Sequence, residues 1–218
     1  MSAMKYIINC GGDYQYWKTP RQLTKICGEE VVARTIRLLR EAGVDDIAIS
    51  SNDTRFDAFG VPRLVHDNPF TVKDDRTKET VGLWVDGFCL TYGPACYLFG
   101  DVVFSPAAIR TIVKTETDDV EFFASWPPFS AMYPKKWAEP FAFKVADVEH
   151  FFRAIDGVRR FWDAGLWRRH PIAWELWQVV KTGKPTNRII RDYTVINDYT
   201  CDIDKPEDAE YFRKLFEK

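Results

Sequence analysis

The chain has 218 residues, 46% hydrophobic and 28% charged, enough for one α/β domain with an ordinary core and too apolar for a disordered chain. Its 30 Lys and Arg against 32 Asp and Glu leave a net charge of −2, and the basic pairs Arg159-Arg160 and Arg168-Arg169 are isolated, so nucleic acid is not an expected partner. The 5 cysteines form no C-x-x-C and the 3 histidines show no metal-binding spacing, so free thiols in a reducing compartment are expected. No leader or membrane-spanning segment is evident, which makes the cytoplasm the expected location.

Lys5 to Cys10 reads as a strand, ended by Gly11-Gly12. A strand followed by paired glycines can bring backbone N–H groups to a phosphate, and it can equally be a plain turn. Lys18 and Arg21 in the loop that follows are cations able to face a triphosphate, or else solvated surface charges. After Gly28-Glu29-Glu30 comes a helix with Val32, Ile36 and Leu39 on its buried stripe and Gly43 as its stop. Residues 46–50 form the next strand, with Ser51-Asn52-Asp53 as its exit loop. Strand, helix, strand implies parallel pairing through a right-handed crossover.

Val61 to Val65 reads as a short strand, and Val81, Trp84, Val85 and Phe88 recur at helical spacing over 80–90. Cys96-Tyr97-Leu98-Phe99-Gly100-Asp101 is the segment around which the rest is organised. It reads as a buried strand whose end throws out Asp101, where open α/β sheets hold their ligands. That carboxylate can cap a turn or hold a divalent metal. Ser105-Pro106 signals a helix start, followed by Ile109, Ile112 and Val113 as the buried stripe, which completes a doubly wound core.

Val120 to Trp126 and Phe141 to Val145 read as strands, and Ala146-Asp147-Val148-Glu149 opens a helix. Residues 126–195 read as a less regular region lying over the sheet edge. Its tryptophans, four of which fall within 162–177, are read as packing, with an acceptor pocket or a homodimer interface as alternatives. Near the end, Asp202 and Asp204 are two apart and share one side of an extended segment. Asp204 with Glu207 also fits a capping box for a final helix docked by Phe212, Leu215 and Phe216. Asp202 has no such explanation, and beside Asp101 it could share an ion.

Four segments, in order, resemble the nucleotidyltransferases that make nucleotide-activated sugars and related compounds, including the cytidylyltransferases. Ile7-Ile8-Asn9-Cys10-Gly11-Gly12 is similar to the first strand and glycine loop. Thr19-Pro20-Arg21-Gln22-Leu23 with Gly28-Glu29-Glu30-Val31-Val32 is similar to the Pro-Lys-Gln-Leu and Gly-Glu-Pro-Leu segments, with Arg21 for the lysine. Leu98-Phe99-Gly100-Asp101-Val102 resembles the strand ending in the metal-binding aspartate, and Asp202-Ile203-Asp204-Lys205-Pro206-Glu207-Asp208 the closing Asp-Thr-Pro-Glu-Asp segment. The family's Gly-x-Gly-x-Arg signature is absent: Asp13, Tyr14, Gln15 and Tyr16 follow the glycines, leaving Lys18 or Arg21 to stand in for the arginine.

The resemblance implies a Rossmann-like, glycosyltransferase-A type three-layer α/β fold with a mostly parallel sheet. It also implies Mg²⁺-dependent transfer of a nucleotidyl group from an NTP, CTP or UTP, to a phosphorylated sugar or related small molecule. Pyrophosphate is released, in a setting of nucleotide-sugar and cell-surface polysaccharide biosynthesis. Lys18, Arg21 and Asp101 are the implied catalytic residues. Cys10, Gly11, Gly12, Asn52, Asp53 and Gly100 are the implied nucleotide contacts, and Asp101, Asp202 and Asp204 the implied metal ligands. The alternatives are a glycosyltransferase of the same fold and a nucleotide-binding module without turnover. Pyrophosphate release separates the three.

Overall fold

The structure is a computed structural model that describes residues 4–11, 17, 19–65, 71–73, 80–126, 138–186 and 190–217. The first strand, β1 (Lys5–Asn9), is followed by a two-strand hairpin, β2 (Lys25–Ile26) and β3 (Glu29–Glu30), and then by helix α1 (Val31–Glu41). Next come β4 (Ile47–Ser50), β5 (Arg63–Leu64) and a separate pair, β6 (Thr71–Lys73) and β7 (Thr80–Gly82). The centre of the chain supplies β8 (Ala95–Phe99), β9 (Val102–Val103), α2 (Pro106–Lys114) and β10 (Val120–Ala124). Then follow β11 (Pro140–Val145), α3 (Val148–Asp163), α4 (Ala173–Thr182), β12 (Thr194–Val195), β13 (Cys201–Asp202) and α5 (Pro206–Phe216).

The main sheet has 7 strands in the order β12-β10-β11-β8-β1-β4-β5. β1 pairs parallel with both β4 and β8, β5 continues parallel beside β4, and β12 lies parallel to β10. β11 alone runs against its neighbours β8 and β10. The mostly parallel, Rossmann-like sheet expected from the sequence is therefore present. Strands sandwiched in such a sheet bury both faces, which is why β8 is a continuous apolar run, buried at all 5 residues, rather than an alternating one. The chain leaves β1 toward β4 on one side and returns through β8 on the other. That reversal makes the carboxyl ends of β1 and β8 the switch point at which such sheets bind ligands.

The helices follow their local signals. α1 buries Val32, Ile36 and Leu39 against the sheet and keeps Arg37 in solvent, paired with Glu29 and Glu41. At the start of α2 the Ser105 hydroxyl accepts from the Ala108 amide at 2.9 Å, with Pro106 in the first turn. The other end of α2 is closed by a side chain from the sheet: buried Lys144 on β11 donates to the carbonyls of Ile112, Val113 and Thr115 at 3.0, 2.8 and 2.6 Å. The expected helix over 80–90 is not formed. The segment is β7 followed by a 3₁₀ turn, Trp84–Gly87. Gly82 and Gly87 interrupt the run, and Val85 and Phe88 reach the core from the turn.

The described part of 126–195 is more regular than its composition suggests. β11 sits inside the sheet, and α3 and α4 cover it through a contiguous aromatic cluster. Phe122 stacks on Phe143 with ring centroids 4.6 Å apart, and Trp174 and Trp177 meet Phe122 at 5.1 and 5.5 Å. These tryptophans are packing residues, as read from the sequence. Helices α3 and α4 approach closely at Gly157, where an added Cβ would lie 3.0 Å from Val179. Among the described residues, no helix is long and apolar enough to cross a membrane.

A second, smaller core lies beside the switch point. It is made of Ile26, Val31, Val103, Cys201, Ile203 and Phe212, with Trp17, Tyr199 and Leu215 packed against it. Its backbone frame is the antiparallel pair β9–β13, which sets Cys201 opposite Val103 and Asp202 opposite Val102. Helix α5 closes it, and Arg213 of that helix donates to the Lys25 carbonyl of the hairpin.

Candidate active site

Because β11 is the one reversed strand, the carboxyl ends of β1, β4, β8, β10 and β12 share one rim with the start of β11. Gly11, Ser51 to Asp53, Gly100-Asp101, Trp126 and Glu139 all lie along that rim. At its centre β1 and β8 end almost in contact. The Gly100 amide donates to the Asn9 carbonyl at 2.9 Å. A Cβ at Gly100 would stand 2.6 Å from Cys10 Sγ and 2.7 Å from the Asn9 carbonyl oxygen, so only glycine fits there.

Asp101 follows directly, and the β9–β13 pair brings the Asp202 segment beside it. The Ile203 amide donates to the Asp101 carbonyl at 3.0 Å. Arg21 reaches the same place from a 3₁₀ turn, Arg21–Leu23, that starts after Pro20. One guanidinium nitrogen, Nη2, lies 2.7 Å from Asp101 Oδ2, and Nη1 donates to Asp204 Oδ1 at 3.1 Å. The Arg21 and Asp101 side chains are only 23% and 17% exposed, so this is a shielded bridge rather than a screened surface pair. The Asp101 carboxylate, with help from Asp204 and Asp202, holds the guanidinium above its usual pKa against the opposing effect of burial. Trp17 Nε1 donates to the Asp204 carbonyl at 3.1 Å, tying the loop after β1 to the end of the chain.

Asp204 does not cap the final helix as its spacing with Glu207 suggests. The cap position is Lys205, and Asp208 accepts from the amides of both Asp204 and Lys205 at 2.9 Å. This leaves the Asp204 carboxylate turned to Arg21. Asp202, Asp204 and Glu139 form a compact group whose carboxylate oxygens lie within 4.8 Å of one another. Three hard oxygen donors at this spacing suit a hard divalent cation such as Mg²⁺ or Mn²⁺. Asp101 stands across the Arg21 bridge from them.

Glu139 was not expected from the sequence, because it lies more than sixty residues from Asp202 in a loop with no motif. Its position is fixed by the backbone. Ser125 at the end of β10 donates its amide to the Glu139 carbonyl at 2.8 Å, and the Ser125 hydroxyl accepts from the Glu139 amide at 2.8 Å. Gln22 was also not singled out. It is buried, and its Nε2 donates to the Gly11 carbonyl at 3.2 Å. Asn9 Oδ1, Arg21 Nε and Gln22 Oε1 are buried with no hydrogen-bond partner among the described residues.

The other expected nucleotide contacts fare differently. Cys10 is fully buried, and its thiol packs under Gly100 rather than facing the rim. Burial, and then the Asp101 charge, push that thiol well above its usual pKa. Asp53 is committed to local structure: it caps the 3₁₀ turn Thr54–Phe59 by accepting from the Arg55 amide and pairs with the Arg55 side chain, which lowers its pKa. Asn52 is exposed on the same rim. Gly12 and Lys18 lie outside the described residues. His150 and His170 are held elsewhere. The His150 ring lies between Asp119 and the Val180 carbonyl, and His170 Nε2 accepts from the Trp84 amide.

No protein-family model matches the chain, and no curated protein matches it in sequence. Solved structures do match in fold. One is assigned as a glucose-1-phosphate thymidylyltransferase from Bacillus anthracis, with a TM-score of 0.60 at 14% identity over 98% of this chain and 95% of that one. A second is the inositol-1-phosphate CTP transferase from T. maritima, with a TM-score of 0.57 at 15% identity over 99% and 98%. A third is CMP:2-keto-3-deoxy-manno-octonic acid synthetase complexed with CTP, with a TM-score of 0.59 at 14% identity over 99% of both chains. The chain therefore shares its fold with these three structures along nearly its whole length.

Proposed function

We propose that this protein is a nucleotidyltransferase that moves a nucleotidyl group from an NTP to a phosphorylated sugar or related small molecule. The observation that carries the reading is the convergence of Arg21, Asp101 and Asp204 at the switch point, with Gln22, next to Arg21, bonded to the Gly11 carbonyl. A fold shared with a thymidylyltransferase, a CTP transferase and a CTP-bound synthetase supports the reaction class. CTP or UTP is the proposed donor.

In the proposed reaction an acceptor phosphate oxygen forms a bond to the α-phosphorus as the bond to the bridging oxygen of pyrophosphate breaks. The acceptor arrives already ionised, so no general base is required, which agrees with the rings of His150 and His170 being engaged by other groups. The work is positioning and neutralisation of charge. Backbone amides at the glycine turn and the Arg21 guanidinium are assigned to the β- and γ-phosphates. Asp101 with Asp202 or Asp204 is proposed to hold Mg²⁺; of these, Asp202 and Asp204 belong with Glu139 to the compact group of hard oxygen donors that suits that ion, and Asp101 faces it across Arg21. When bound, it would neutralise charge on the α-phosphate and the leaving pyrophosphate. We assign the protein to the cytoplasm, and a homodimer is its proposed assembly.

The test is pyrophosphate release with each NTP and Mg²⁺, against a pool of phosphorylated sugars and alcohols. Release with one NTP, abolished by EDTA, is the expected result. NTP binding without release from any pairing would transfer the assignment to a glycosyltransferase or a non-catalytic nucleotide-binding module.

A further inference from the structure

The Arg21 side chain is the one feature of this site that a phosphate-binding role alone does not explain. A cation kept for an incoming triphosphate need only stand at the rim. This one is inserted between two carboxylates, with Nη2 2.7 Å from Asp101 Oδ2 and Nη1 3.1 Å from Asp204 Oδ1. Asp204 is also a member of the compact group with Asp202 and Glu139 that suits a divalent ion. A carboxylate oxygen engaged by a guanidinium N–H has that lone pair turned away from an ion. Arginine suits this bridge in a way lysine does not, because its planar fork offers separate donors to two acceptors.

We propose that Arg21 and the divalent ion compete for Asp101 and Asp204. In this conformation the guanidinium serves as the internal counter-cation of the site. An ion taking up these carboxylates must displace it, and a triphosphate, by drawing the guanidinium toward itself, makes that displacement easier. Arg21 is then a positioning residue that sets the order of loading as well as a phosphate contact. This deepens the proposed nucleotidyl transfer and rests on it for the identity of the anion. The competition itself requires no turnover.

The test is Mn²⁺ binding to the full chain without nucleotide, followed by the electron paramagnetic resonance of the free ion. The chain is compared with its Arg21→Ala, Arg21→Gln and Arg21→Lys variants, and thermal melts report that each is folded. Competition predicts that Arg21→Ala and Arg21→Gln bind Mn²⁺ about tenfold more tightly than the unaltered chain, a typical size for coupling between two ligands of one site. Arg21→Lys, which keeps the charge but loses the fork, should fall between. Equal Mn²⁺ affinity in all chains would overturn the proposal. So would an Arg21→Lys variant as weak as the unaltered chain, because background charge would then account for the effect. Pyrophosphate release is measured separately. Turnover with coincident Mn²⁺ affinities would remove the competition and leave nucleotidyl transfer standing, whereas tighter Mn²⁺ binding without turnover would do the reverse.

Discussion

The large core under the sheet and the small core beside the switch point are built from different kinds of sequence. Each segment of the large core carries its own pattern: the apolar run of β8, the stripe of α1, the Ser105-Pro106 start of α2. The small core draws Trp17, Ile26 and Val31 from near one end of the chain, Val103 from the middle, and Cys201, Ile203 and Phe212 from near the other end. Apart from the helices, each of these segments adds only one or two buried residues. The large core sets where strands end. The small core sets which carboxylates meet there, so stability and chemistry are lodged in separate places.

The largest effect that would test this division is on catalysis. Asp101→Asn should lower pyrophosphate release by about 10³-fold while the chain stays folded, with some fall in the unfolding midpoint from loss of the shielded Arg21 bridge. Normal Mg²⁺-dependent activity in that variant would remove Asp101 from the site. Phe212→Ala should cost about 4 kcal/mol where α5 meets the small core. Hydrogen exchange should then show α5 and β13 opening while β1 and β8 stay protected. Uniform loss of protection would mean that the two cores unfold as one.

Gly100→Ala strikes the place where the two regions touch. The added carbon overlaps Cys10 and the Asn9 carbonyl, so a loss of about 3 kcal/mol in urea titration is expected. Native-like stability in that variant would show that β1 and β8 can part without harm. Lys144→Met acts on the large core only, removing the donor that closes α2. It should cost about 1.5 kcal/mol at neutral pH and leave Mn²⁺ binding unchanged. Burial holds Lys144 below its usual value of 10.5. Between that lowered value and 10.5 the unfolded chain binds more protons than the folded one, so the unaltered protein should gain stability relative to Lys144→Met as pH rises through the window. Neighbouring Cys96, pushed up to about 12 by burial, remains a thiol throughout. A difference between the two proteins that does not change with pH would assign Lys144 an ordinary ammonium.

The same division explains what could be read from the sequence. Most strands and helices of the large core announce themselves by periodicity and caps, and the clearest misreading is the stretch over 80–90. There, apolar residues at helical spacing serve a strand and a 3₁₀ turn because glycines interrupt them. The rim residues Gly100 and Asp101 were legible because strand ends are legible. What could not be read was adjacency. Asp202 meets Val102 through pairing across about a hundred residues, and Glu139 is delivered by a clamp on Ser125 that no motif marks. The side-chain settings of Cys10 and Asp53 were not legible for a related reason. Position on the rim is visible in sequence, but the direction of a side chain depends on neighbours such as Gly100 and Arg55.

The bridge from Arg21 to Asp204 spans 183 positions of the chain. During synthesis, β1 and β8 leave the ribosome well before the segment that carries Asp202, Asp204 and α5. A nascent protein at that stage can hold a folded sheet with Asp101 in place, yet it lacks Asp204, the second carboxylate that answers Arg21, and the helix that follows it. The site is therefore completed later in synthesis than the sheet that frames it, and the full Arg21 bridge closes only once the segment carrying Asp204 has joined β9.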